Sequence, residues 1–396
     1  PSELKEIVAT FTNGLDQAVK TAATRQSHAL ADEILGGLFD QEVFTHPVAE
    51  RALYQPALDR VSLADCQAAL RRAFAAPGLF VMVTGNVLIP GAANATIAGA
   101  FEKSRATPVA APTAQAESVW AYAQWGAPGK VVQRTRVADL DVELVSFANG
   151  VKLNLKKTDF EAGRIRTGVR VGSGTITEPA GQRGLAALAG GTFGAGGLSQ
   201  HSADEMRRLF AGKNVSVQFQ PGTDAFNFTG GTTSGDLSLQ LQLLAALLTD
   251  AGWRPEALRQ AQKSMEQMYL GFEHTANGPM ATEVANLLAN GDPRFGLPAK
   301  EVMMSRNLVE AKAWLAAQLA HGALEVSLVG DLEIEAAIAA VAQTLGALPP
   351  REPKPALDAL KKISFPATPF TQSYTIASEI PKGNVVIYWP TTDGFD

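Results

Sequence analysis

One pattern occurs twice in this chain and constrains its architecture more than any other feature: a helical run followed by an alternating apolar stretch that ends in glycine. In the first copy, apolar residues recur at helical spacing from Leu63 to Phe74, and Leu79-Phe-Val-Met-Val-Thr-Gly-Asn86 reads as a strand and turn. In the second, a helix from Leu308 to Leu319 precedes the strand Leu324-Glu-Val-Ser-Leu-Val-Gly-Asp331, and a further helix runs to about Leu345. Phe44-Thr-His-Pro47 leads into the first copy and Phe295-Gly-Leu-Pro298 into the second. Gly85 and Gly330 lie 245 residues apart, and Pro47 and Pro298 lie 251 apart. Offsets this close predict a duplicated unit of domain size. A length of 396 residues also exceeds what one core usually organises.

Two segments set the units apart. Arg105 to Lys130 is rich in Ala, Pro and Gly, and Pro349 to Pro369 carries Pro349, Pro350, Pro353, Pro355, Pro366 and Pro369. Proline removes a donor and blocks helix, so both are expected to be extended linkers. The expected division is a preceding unit at residues 1–105, a linker at 106–135, a complete unit at 136–350, and a linker with the start of a further unit at 351–396. The last residues, Asn384 to Asp396, read as a strand, and a strand needs neighbours. There is no initiator Met. Both ends are therefore expected to be cut from a longer polypeptide.

Within the complete unit, Asn149-Gly150 between alternating apolar residues predicts a hairpin. Ile165, Thr167, Val169 and Val171 alternate as a strand. Ser202 and Glu205 form a capping box ahead of Met206, Leu209 and Phe210. Val215 to Gln220 is expected to pair with Ala225 to Thr229 across the turn Pro221 to Asp224. Asp236 to Leu248 and Pro255 to about Phe272 read as helices. Strands come early and helices late, which predicts an α+β fold with an antiparallel-rich sheet and helices on one face.

The net charge of −5 gives no electrostatic reason to expect nucleic acid or an anionic membrane as partner. No stretch reaches the roughly 18 apolar residues of a membrane span. A single cysteine, Cys66, excludes an intrachain disulfide and is expected to be a buried structural thiol. The glycine-dense run Gly190 to Gly197 is followed by Leu198 where a phosphate loop would need Lys and Ser or Thr. Gly172-Ser-Gly174 is not a nucleophile elbow. His28, His46, His201, His274 and His321 show no metal-sharing pair. His201 and Glu205 could offer two ligands on one helical face, but a zinc site needs three, so surface capping is expected.

The run Val171-Gly-Ser-Gly-Thr-Ile-Thr-Glu-Pro-Ala-Gly-Gln-Arg-Gly-Leu-Ala186 resembles the insulinase, pitrilysin and mitochondrial processing peptidase family. Members have a strand ending in Gly-Ser, and Gly-Leu-Ala opens the helix that carries the zinc motif His-x-x-Glu-His. Phe147-Ala-Asn-Gly-Val-Lys-Leu153 is similar to the start of such domains. The resemblance implies repeated metallopeptidase-like domains, four in two halves, with zinc in the first. By position the motif falls on Ala187, Gly190 and Gly191, which have no ligand or base. Lys263-Ser-Met-Glu-Gln267 stands in the third-ligand region and keeps Glu266. No catalytic, cofactor or metal residue is therefore expected here, and zinc is expected in the other half of the intact protein. The implied role is the non-catalytic portion of a zinc-dependent peptidase, shaping its substrate chamber. The partners would be a peptide or unfolded protein and the catalytic half of the same polypeptide. The alternatives are a non-proteolytic scaffold or partner subunit, or an unrelated binding protein. The resemblance implies a periplasmic or secreted location, with the cytoplasm as alternative.

Overall fold

Alternation is the feature that builds the centre of the molecule. The computed structural model describes residues 2–75, 78, 80–85, 88–110, 118–378 and 380–391. Five helices come first: α1 (Ser2–Thr21), α2 (Ser27–Asp40), α3 (Pro47–Leu58), α4 (Leu63–Ala75) and α5 (Ala93–Ala106). The sheet region follows with β1 (Val131–Val137), β2 (Val142–Phe147), β3 (Lys152–Lys157), β4 (Ile165–Val171), α6 (Leu185–Thr192), α7 (Ala203–Leu209), β5 (Gln218–Pro221) and β6 (Phe226–Thr232). Then come α8 (Leu237–Thr249), α9 (Pro255–Glu273), a short π-helix at Met280–Val284, α10 (Ala285–Leu288), α11 (Lys300–Met304), α12 (Leu308–His321), β7 (Leu324–Gly330), α13 (Ile334–Ala342) and α14 (Asp358–Lys361).

The seven strands form one sheet in the order β1-β2-β3-β7-β4-β6-β5. All neighbours are antiparallel except β3 and β7, where Leu153 lies beside Val326 and Leu155 beside Leu328. On β4 the register pairs Val169 with Val326 on one side and with Phe228 on the other. Side chains alternate across a pleat, so Leu153, Leu155, Ile165, Val169, Val171, Phe226, Phe228, Val326 and Leu328 share one face and are buried. Helix α8 covers that face with Leu241, Leu244 and Leu248, and α13 adds Ala337 and Val341. The other face keeps Lys152, Arg166, Arg170 and Glu325 exposed. The expected α+β architecture with helices on one sheet face is what forms.

A buried glutamine replaces strand pairing where the ladder runs out. Gln240 on α8 is fully buried; its amide donates to the Ser216 carbonyl (2.7 Å) and to Thr167 Oγ1 (3.1 Å), and its Oε1 accepts from the Ser216 N–H (3.0 Å). Outside the sheet, α1 rests on the segment after α7. Asn13 and Asn214 exchange amide hydrogen bonds at 3.0 and 3.1 Å, and Arg207 pairs with Glu6.

Three sequence expectations need correction. Cys66 is exposed, not buried, because α4 has no buried residue and its apolar positions Leu63, Leu70 and Phe74 face solvent. Residues 80–85 form no strand, while Leu79 and Asn86 lie outside the described residues. Residues 384–391 form none either, and 392–396 lie outside the described residues. The reason is common to both: an isolated segment has no ladder to share its hydrogen bonds with. The second copy of the repeat shows the contrast, since its strand β7 is flanked by two partners.

Replacing Gln240 with Leu should leave the Ser216 main chain and the Thr167 hydroxyl unpaired in a dry interior. The expected loss is about 2–3 kcal/mol of stability. Urea unfolding would measure it; a midpoint unchanged from the parent chain would show that the glutamine is not what holds this end of the sheet.

Candidate functional site

The strand β4 ends at Val171, and the chain must then turn back over the sheet to begin α6. Three glycines with positive φ make the turn: Gly172 (+67°), Gly174 (+72°) and Gly184 (+99°). At Gly174 there is a second requirement, because a Cβ would collide with the Gly222 carbonyl and the Ala225 amide. The loop instead bonds to the β5–β6 turn, Thr175 N–H donating to Gly222 O (2.8 Å) and Ile176 N–H to Thr223 O (2.9 Å). Helix α12 fixes it from the other side. Gln318 accepts from the Ser173 N–H (2.9 Å) and donates to Thr177 Oγ1 (3.1 Å), and Trp314 Nε1 donates to Thr177 O (3.2 Å).

Glu178 then caps α6 from a distance of eight residues, its Oε1 accepting from the Ala186 N–H at 2.8 Å. A carboxylate at a helix N-terminus satisfies an orphan donor and meets the positive end of the helix dipole. Arg183 pairs with Glu178 at 3.4 Å and donates to Gly296 O at 2.6 Å, so the start of the helix is clamped.

On α6, Leu185, Leu188, Ala189 and Thr192 are buried, whereas Gly190 and Gly191 are exposed. A Cβ at Gly190 would touch Pro221 at 3.5 Å, an ordinary contact. A Cβ at Gly191 would face α9, 3.3 Å from Ala261 Cβ and 3.9 Å from Met265 Cε. Ala187 is half-buried in the same apolar cluster. These positions do not fit zinc, since methyl groups and hydrogens carry no lone pair. Glu266 is exposed, and the face of α9 turned to α6 is apolar. Among the described residues no group of three or more His, Cys, Asp or Glu could hold a metal ion.

His201 is not the surface cap that its position before α7 suggested. It is 4% exposed, its Nε2 accepts from the Ala121 N–H at 3.1 Å, and its ring stacks on Trp120 at 5.4 Å. The capping box belongs to Ser202 and Glu205, as the sequence indicated. Its Ser202 main-chain N–H, and then the hydroxyl, hold the Glu205 carboxyl below the usual carboxylate range. The sequence reading missed Trp120, Tyr122 and Trp125, which lie in a stretch read as linker yet pack on the core. Three large aromatics within six residues were the signal that could have found them.

Two charged anchors tie the segment after α13 to this region. Asp224 in the β5–β6 turn binds Arg170 Nη2 through both oxygens at 3.0 Å, and Lys354 Nζ at 3.3 Å. Burial alone would raise its carboxyl, but Lys354 and Arg170 hold it below the usual range. Arg351 is buried against the C-terminal end of α12, donating to Leu319 O at 2.6 Å, and burial pushes its guanidinium down to about 10.

No family model matches the sequence. The chain is 24% identical over 214 residues to the stromal processing peptidase of Arabidopsis thaliana, a match covering 52% of this chain and 17% of that protein. The corresponding Pisum sativum protein is 26% identical over 200 residues, 48% of this chain and 16% of its own length. The ferredoxin protease FusC, solved in complex with Arabidopsis ferredoxin, superposes with a TM-score of 0.54 at 15% identity, covering 89% of this chain and 41% of FusC. The periplasmic protease PqqL of Escherichia coli gives 0.53 at 16%, covering 92% of this chain and 40% of PqqL. The matched region is thus less than a fifth of these plant proteins and less than half of either structure. The likeness to insulinase- and pitrilysin-type peptidases is one of fold, joined to modest sequence identity with the plant enzymes. Among the described residues no helix is long and apolar enough to cross a membrane.

The geometry predicts what would build a metal site at these positions. Ala187→His, Gly190→Glu and Gly191→His should bind zinc only weakly, because Glu266 is turned away from them. Adding Met265→Glu on the facing surface of α9 should bring the content to about one zinc per chain, the third protein ligand completing the set. Metal analysis after dialysis would decide; equal zinc in the triple and quadruple variants would show that α9 has been oriented wrongly.

Proposed function

We propose that this chain is the non-catalytic portion of a zinc-dependent peptidase of the insulinase and pitrilysin type, forming one wall of the chamber that holds a peptide or unfolded protein. The observation that carries the reading is a strand, loop and helix scaffold with nothing ligating in it, set beside a sheet edge with open main chain. Zinc and its general base would then belong to the other half of the same polypeptide. Periplasmic PqqL, which shares the fold, makes an exported location the favoured one.

The edge is β5. Gly222 N–H donates to Ala225 O at 2.9 Å and closes the hairpin. Antiparallel strands alternate, so Gln220 and Gln218 exchange their hydrogen bonds with Asn227 and Thr229 on β6. Phe219 and Pro221 therefore direct their main-chain groups outward. Among the described residues no strand pairs with that outer side. An extended peptide added there would bond to the Phe219 N–H and C=O and to the Pro221 carbonyl. It would run past Gly190, which lies against Pro221 and projects no side chain into its path.

The test uses reduced, carboxymethylated lactalbumin as an unfolded ligand. Hydrogen exchange should slow at residues 217–221 on addition of the ligand. Phe219→Pro removes the outward donor while keeping the bonds to β6, and binding should fall about fivefold or more for the one lost hydrogen bond. Phe219 also packs on Phe193, so thermal unfolding of the variant must remain cooperative for that comparison. Unchanged exchange at β5 in the parent chain would remove the peptide-binding role and leave the non-proteolytic scaffold.

A further inference from the structure

Residues 118–125 lie across α7 and α8 as a strap that leads towards β1. Each of its contacts is specific. Trp120 Nε1 donates to Gln242 Oε1 on α8 (2.9 Å), Tyr122 Oη donates to Asp250 Oδ2 (2.6 Å) and accepts from the Gln200 N–H (3.2 Å). Ser118 Oγ reaches Glu205 Oε1 on α7 at 3.4 Å. In the middle, the Ala121 N–H donates to Nε2 of His201 at 3.1 Å. The imidazole is enclosed by Trp120 and Tyr122, with ring centres 5.4 and 6.0 Å away, and its Nδ1 is buried without a partner.

We propose that His201 is an acid-released latch: neutral, it holds the 118–125 strap against α7 and α8, and protonated, it lets the strap go. The hydrogen bond from Ala121 requires a lone pair on Nε2, which fixes the neutral ring with its proton on the unpartnered Nδ1. A proton on Nε2 replaces that acceptor with a second N–H aimed at an amide N–H. It also puts a cation in an enclosed space with no carboxylate on Nδ1.

The titratable and charged groups around the ring are engaged elsewhere. Glu205 on α7 attracts a protonated ring and so opposes release, but its carboxylate is bonded to the Ser202 N–H and hydroxyl. Asp250 at the end of α8 is held by the Tyr122 hydroxyl, and Arg254 before α9 donates to the carbonyls of Gly196 and Leu198. Burial, and then the bond to Asp250, push the Tyr122 hydroxyl up to about 12, so it keeps its proton throughout the range in which an imidazole changes charge.

The sign follows from linkage. The docked strap binds one proton fewer than the released one, so docking is strongest above the titration of a solvated imidazole, at about pH 6.5. Below that, docking is expected to weaken as the pH falls. Release would free the chain leading into β1, so the tether between the helical region and the sheet would loosen in acid.

Hydrogen exchange on the whole chain from pH 8 to pH 5, corrected for intrinsic exchange rates, reads the latch at residues 118–125. Protection should fall in acid for the parent chain. His201→Gln should hold it level, because the Gln carbonyl accepts from Ala121 and cannot titrate. Loss of protection in acid that is the same in His201→Gln overturns the proposal, as does protection that stays level in the parent chain. Should the variant fail to dock at any pH, imidazole nitrogen resonances of the parent chain decide instead. A ring that stays neutral to pH 5 sinks the latch, and one that titrates together with the loss of strap protection supports it.

Discussion

The sheet depends on a strand that comes late in the sequence yet sits at its centre. β7 supplies hydrogen-bond partners to β3 on one side and β4 on the other. Without it the sheet is two pieces, β1-β2-β3 and β4-β6-β5, with no ladder between them. Long-range pairing of this kind must repay a large loop-closure entropy before it stabilises anything. The apolar residues Leu324, Val326 and Leu328 do so by burying completely or nearly so under α8 and α13. The comparable segment near Val83, with no sheet around it among the described residues, stays unpaired.

What lies downstream of β4 inherits this rigidity. The loop from Gly172 to Gly184 is held at three places, by the β5–β6 turn, by Gln318 and Trp314 of α12, and by Glu178 on the first turn of α6. None of these contacts uses the side chains at Ala187, Gly190 or Gly191. A scaffold held by its loop and its cap keeps its shape whatever side chains stand at those three positions. That explains how the turn and the helix form with only a methyl group and hydrogens there. It also explains why the glycines that matter to the fold, Gly174 and Gly184, are not the exposed pair at Gly190 and Gly191.

Much of the sheet was legible in the sequence because each signal was local. The Asn149-Gly150 turn, the alternation of β4 and β7, and the Ser202–Glu205 capping box depend only on near neighbours, and each formed where expected. What escaped was set by distant contacts. His201 looked like a surface residue because its partners, Trp120 and Ala121, are about eighty positions away. Cys66 looked buried because α4 has an amphipathic spacing, and spacing does not reveal whether another surface covers the stripe. Glu266 stood in the region that the resemblance assigned to a third ligand, but helical phase turned it to solvent and placed Ala261 and Met265 towards Gly191.

The two sheet edges are managed differently, and the difference bears on function. An open edge is an aggregation hazard unless charge, proline or shortness blunts it. Along β1, Arg134 reaches Glu143 and Glu335 while Arg136 reaches Asp141, so the edge is crossed by ion pairs. Along β5 the control is length: the strand covers only Gln218–Pro221, and Pro221 has no N–H to offer outward. What remains is one full donor and acceptor couple at Phe219 and a single further carbonyl. That is too little to recruit a sheet from another molecule and enough to align a short stretch of extended chain. Since β5 is fixed through its turn to the same loop that starts α6, any chain aligned there is held in a set relation to the helix face. On the proposed role, an edge this short and this firmly placed would suit transient holding of peptide better than permanent assembly.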